Sequence, residues 1–126
     1  MEPFFDHERL EVYRAARHFN REIRDLLQVL PRGHAESRNN LRRAAMSITR
    51  NIAEGSGKWK LRDKINFYHI ARASATECAA SLDELVDFDL VPHERVQTPK
   101  QVLARVVALL IGMIRSLESR PGPDMR

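Results

Sequence analysis

Apolar positions recur every three or four residues in four stretches of the chain, and no stretch alternates as a half-buried strand would. The first pattern predicts a helix over 6–30, with Leu10, Tyr13, Ala16, Phe19, Ile23, Leu26/Leu27 and Leu30 on one face. Asp6 suits its N-cap, and Pro31 with Gly33 stop it. The second predicts a helix over 37–54, with Leu41, Ala44/Ala45, Ile48 and Ile52 inward and Gly55-Ser56-Gly57 as a left-handed ending. A third, over 62–88, carries Phe67, Ala71, Ser74, Cys78, Leu82 and Leu85. The middle of that stripe is small, which lets a neighbouring helix come close. The fourth, over 99–118, opens on Thr98-Pro99-Lys100-Gln101, the pattern of an N-cap, a proline at the first helical position and a capping box. Its stripe is Val102, Val106, Leu109/Leu110, Met113 and Leu117, and a frayed tail is expected over 121–126. Four helices with short connections predict one all-α domain over 1–126, an antiparallel up-down-up-down four-helix bundle.

Two helices carry more apolar surface than one core needs. On the third helix Tyr68, Ala75, Ala79 and Val86 form a second stripe; on the fourth, Ala104, Val107, Ala108 and Ile111 lie opposite Val102 and Met113. A helix apolar nearly all round is normally covered on all sides, and four helices cannot cover one completely. Self-association into a homo-oligomer is therefore expected, with Tyr68, Ala75, Ala79, Val86, Val107 and Ile111 at the interface. The alternative is a wide core stripe with scattered surface alanines.

Charge changes the picture more than composition does. With 43% apolar and 30% charged residues in 126, the chain reads as a globular domain. Net charge is +4, yet residues 37–72 hold nine basic side chains against Glu54 and Asp63, a local net of +7. Such asymmetry points to a polyanionic partner. One cysteine excludes an internal disulfide or a cysteine-based zinc cluster within the chain. No stretch approaches the length of a membrane span, the N-terminus lacks a signal-peptide pattern, and a cytoplasmic protein is expected.

Candidate chemistry is sparse. His7, His18, His34, His69 and His93 are scattered with no helical metal-site spacing, and no nucleophile–base order stands out, so neither catalysis, a metal nor a cofactor is expected. Cys78 sits in a core stripe and reads as a small buried hydrophobe. Gly55-Ser56-Gly57-Lys58 lacks the spacing and preceding strand of a phosphate loop. Around the second helix, Arg43, Ser47, Arg50 and Glu54 face away from the core, and Lys58, Trp59, Lys60, Arg62 and Lys64 follow the glycine turn. Cations there can hold phosphates while the chain's one tryptophan stacks on an unpaired base. The plainer alternative packs Trp59 over the bundle end with solvated lysines beside it.

The run Ser47-Ile48 and Asn51-Ile52-Ala53-Glu54-Gly55, with Phe67, Ala71, Ser74, Glu77 and Leu82 on the next helix, resembles the bacterial 23S rRNA intervening-sequence proteins. The resemblance covers about residues 10–118 and departs from the family pattern at Lys58-Trp59-Lys60 and between Arg32 and Asn40. It implies a four-helix bundle that assembles as a ring-like homopentamer. The family is similar in fold to the accessory variability protein of diversity-generating retroelements, a pentamer that binds nucleic acid and a reverse transcriptase. By that likeness the expected function is binding of RNA or DNA through Arg43, Arg50, Lys58, Trp59, Lys60 and Arg62. The motif residues Asn51, Glu54, Ser74 and Glu77 are expected to tie helices together, with a ligand site as the alternative. The rival is a scaffold whose basic block meets an acidic protein.

Overall fold

The computed structural model describes residues 2–120. Among these the chain forms four long helices, α1 (Glu11–Gln28), α2 (Ala35–Ser56), α3 (Leu61–Asp87) and α4 (Gln97–Glu118), and no strand. Two single 3-10 turns, Asp6–Arg9 and His93–Val96, precede α1 and α4. α1 packs on α2 and α4, and α3 packs on the same two, with the α2–α3 seam the most extensive. The tail expected over 121–126 lies outside the described residues.

The predicted faces of α1, α2 and α3 are the ones that meet. Ala16, Phe19, Ile23 and Leu26 of α1, Leu41, Ala44, Ala45, Ile48 and Ile52 of α2, and Ala71, Cys78, Leu82 and Leu85 of α3 are all buried. α4 is rotated from expectation. Its buried line is Pro99, Leu103, Val106, Leu110, Ile114 and Leu117, while Val102, Leu109 and Met113 are half-buried at its edge. Apolar side chains surround α4 so widely that periodicity alone did not fix which line faces inward.

Three predicted helix ends differ. Asp6 does not cap α1: it opens the 3-10 turn, and Leu10 then takes an extended conformation (φ −75°, ψ 129°) that separates the turn from α1. Thr98 does not cap α4, which starts at Gln97 after the second 3-10 turn. Pro99 still falls in the first turn, where its missing N–H removes no helical bond. Gly55 and Gly57 do not end α2 in a left-handed conformation either. Gly55 is helical and buried, and Gly57 keeps φ −80° while its N–H bonds Ala53 O and Glu54 O. The left-handed positions lie instead at Gly33, His34 and Asp89. Gly55 is needed for closeness, since a Cβ there would lie 2.6 Å from Tyr68 Cε1.

Tyr68 and Ala75 are corrections to the expected interface stripe. Both are buried inside the single chain, so neither offers surface to a second copy. Gly55, which has no side chain, lets α2 come close enough to cover Tyr68. Ala79, Val86, Val107 and Ile111 are half-buried, and Ala104 and Ala108 are exposed.

Cys78 is fully buried, and burial, with Glu77 adding, pushes its thiol up to about 12. A thiolate is the reactive form. The folded protein should therefore resist a thiol-directed reagent at neutral pH and react stoichiometrically in urea. Rapid labelling without denaturant would place the thiol at the surface and contradict this packing.

Candidate nucleic-acid interface

The basic block divides into cations that close the ends of helices and cations on α2 and at the α2–α3 turn. Arg38 belongs to the first group. Its guanidinium donates to the carbonyls of Leu27 (2.6 Å), Pro31 (2.7 Å), Leu30 (3.0 Å) and Gly33 (3.3 Å). It thereby ties the Leu27 carbonyl in the last turn of α1, which has no helical partner, to the connection that follows. Lys64 does the same for α2, its Nζ donating to Ser56 O at 2.9 Å and Gly55 O at 3.3 Å. Burial pushes the Lys64 ammonium below its usual range, with Asp6 opposing and Arg120 reinforcing. Neither capping role was foreseen from sequence. The signal available was a cation just beyond a helix C-terminus, where it can reach bare carbonyls.

The second group contains the predicted binding residues. Arg43 and Arg50 are exposed on α2, two turns or about 10.5 Å apart along the helix. Arg43 donates to Asn40 Oδ1 at 2.9 Å, one turn earlier. Ser47, expected beside them, turns inward to α3 instead. Arg50 shares a groove of about 470 Å³ with Lys58, Glu54 and His7. Lys58 stands over the Phe67 ring, 5.2 Å from its centroid, which holds the ammonium at the groove's edge. Trp59 is 93% exposed, so it does not pack over the bundle end. Lys60 and Arg62 are exposed at the start of α3. Cations at a helix N-terminus oppose the helix dipole, at a cost of about 0.3–1 kcal/mol each. The helix dipole therefore gives no reason for Lys60 to be basic.

The motif residues do not act as one group. Ser47 and Ser74 share a hydrogen bond of 2.8 Å between α2 and α3, and Asn51 Nδ2 donates to Ser47 O (2.8 Å) and Ser47 Oγ (3.1 Å). This small network satisfies polar groups inside an apolar seam and fixes the register of α2 on α3. Glu54 lies apart, in the groove with Arg50 and Lys58, and Glu77 is exposed on α3.

Sequence reasoning missed the N-terminal 3-10 turn. It packs on α2, and His7 enters the Arg50–Lys58 groove. The Phe5 and His7 rings stack (5.9 Å, 11°), and Tyr13 meets His7 edge-on at 4.6 Å. Helical periodicity smoothed over this break and hid the rings it presents. Among the described residues no three His, Cys, Asp or Glu side chains converge to hold a metal ion, and no helix is long and apolar enough to cross a membrane.

Comparison with known proteins bears on the fold and the motif. The family model for the 23S rRNA-intervening sequence protein matches residues 8–112. A crystal structure from Bacteroides thetaiotaomicron, described as a protein with unknown function from the S23 ribosomal protein family, is similar with a TM-score of 0.78. At 24% identity, over 82% of this chain and 98% of that one, the likeness is one of fold. No curated protein matches the chain.

Proposed function

Because the chain belongs to the 23S rRNA-intervening sequence protein family, we propose that it is a non-enzymatic, cytoplasmic bundle of antiparallel up-down-up-down helices that self-assembles and binds RNA or DNA. A pentamer is the assembly this reading favours. The observation that carries the binding reading is Trp59, 93% exposed between Lys58 and Lys60, beside a groove that joins Lys58 to Arg50. Phosphates are met by Arg50, Lys58, Lys60 and Arg62, with Arg43 extending the basic line up α2, and the indole offers its face to a base. Glu54 keeps the groove from being uniformly positive, so contact is directed to its rim. Self-assembly is supported by the half-buried Ala79, Val86, Val107 and Ile111 and by the exposed Ala104 and Ala108 on α4.

The test is anisotropy of labelled RNA and DNA hairpins across a salt series, on protein whose assembly mass is measured in units of 14.6 kDa. Binding at about micromolar or tighter that falls with salt is expected. The Lys58→Ala/Trp59→Ala/Lys60→Ala variant should weaken it at least tenfold and reduce the salt slope by about 2, one per lysine lost. Absence of binding at low salt would sink this reading and leave the acidic protein partner. A monomer mass would sink the self-assembly part.

A further inference from the structure

We propose, resting on the nucleic-acid reading above, that the ligand is a single strand and that the N-terminal 3-10 turn supplies a second stacking position, formed by Phe5 beside the Arg50–Lys58 groove. The Phe5 ring is 66% exposed, yet it is not loose. It runs nearly parallel to the His7 ring in an offset stack, and His7 in turn meets Tyr13 in a T-shaped contact. The segment before it is pinned as well, since Phe4 N–H donates to the Glu8 carboxylate at 2.8 Å. An aromatic ring held in place with one face open binds a base at little ordering cost. His7 lines the same groove as Arg50 and Lys58, Phe5 neighbours His7, and Trp59 follows Lys58 directly, so each exposed ring adjoins a residue of this groove.

Duplex and single strand differ in what they can offer such a surface. Bases within a duplex are stacked on each other and show no open face, whereas unpaired bases can splay onto aromatic rings. Charge favours the same choice. Glu54 lies in the groove, and Asp6 and Glu8 lie on the 3-10 turn. A duplex brings two phosphate chains, one charge per about 1.7 Å, against these carboxylates. A single strand carries half that density and can follow Arg50 and Lys58 while leaving Glu54 to solvent.

The test compares an oligothymidylate strand with a blunt duplex of equal length by anisotropy, and follows the emission of Trp59, the chain's one tryptophan, with unlabelled strand. The strand should bind at least about tenfold more tightly than the duplex and quench Trp59. Phe5→Ala should weaken strand binding about tenfold and leave duplex binding unchanged, with an unaltered urea midpoint because the ring is largely exposed. Equal binding of strand and duplex, or a Phe5→Ala variant that binds the strand normally, would overturn this inference while the nucleic-acid reading stands. Failure of both probes to bind would overturn both.

Discussion

Gly55→Val is expected to destabilise the fold by about 3 kcal/mol, the upper end of the cost of overpacking a core. An ideal Cβ at residue 55 would lie 2.6 Å from Tyr68 Cε1, 3.0 Å from Tyr68 Cδ1 and 3.1 Å from Phe67 Cβ. The Tyr68 ring is buried and cannot swing aside, and Phe67 Cβ moves only with the α3 backbone. Relief therefore requires α2 and α3 to separate, which would also stretch the 2.8 Å Ser47–Ser74 bond. Gly55→Ala should cost less, because alanine gains about 1 kcal/mol of helix propensity over glycine. Urea unfolding followed by circular dichroism measures both. A cycle with Tyr68→Ala separates the clash from other effects: with the ring removed, Gly55→Val should lose at least about 1 kcal/mol less than it does in the natural chain. An unchanged midpoint for Gly55→Val would contradict the packing of this seam.

Arg38→Ala should cost about 2–3 kcal/mol, since it strips a charged donor from the Leu27 carbonyl of α1 and from three carbonyls of the connection after it. Part of the site is open to water, which holds the loss below the sum of four charge-assisted bonds. Arg38→Lys should recover less than half. An ammonium is a point donor on a flexible stem, and it cannot present a planar fork to Leu27, Leu30 and Pro31 together. The two groups of cations should thus separate experimentally. Arg38→Ala should lower the unfolding midpoint and leave the salt slope of nucleic-acid binding intact, and Lys58→Ala with Lys60→Ala should do the reverse. A salt slope that falls with Arg38→Ala would mean that this guanidinium leaves its carbonyls to meet a phosphate.

These expectations also mark where sequence patterns carry information and where they stop. The inward lines of α1 and α2 were legible because each has one clear apolar stripe at helical spacing, whereas α3 has two, and Tyr68 and Ala75 of the second also face inward. α4 had no such contrast: Val102, Leu103, Val106, Val107, Leu109, Leu110, Ile111 and Met113 leave several lines equally apolar. Val106, Leu110 and Leu117 are buried as expected, but only docking on α1 and α3 chose Leu103 and Ile114 over Val102 and Met113. Tyr68 and Ala75 were assigned to an outer stripe for the related reason that stripe width cannot say how near a neighbour comes. The concentration of cations was visible at once, but the exposure of Trp59 and the approach of His7 were not, because His7 precedes α1 and reaches the groove on α2 only through the fold.

By itself the sequence determined the number of helices, most of their inward faces and the stretch that carries the positive charge. Periodicity and charge are properties of residues and their spacing, and a helix converts spacing into direction without help from the rest of the chain. Tertiary structure alone decided what individual residues are for. Arg38 and Lys64 became caps because carbonyls at and just after the end of the preceding helix lie within 3.3 Å, Gly55 became a contact because a ring lies where its side chain would be, and Arg50 and Lys58 share a groove with His7. Hydrogen bonds and steric contacts act over about 3–4 Å, so their partners are set by how the helices dock and not by the spacing along any one of them.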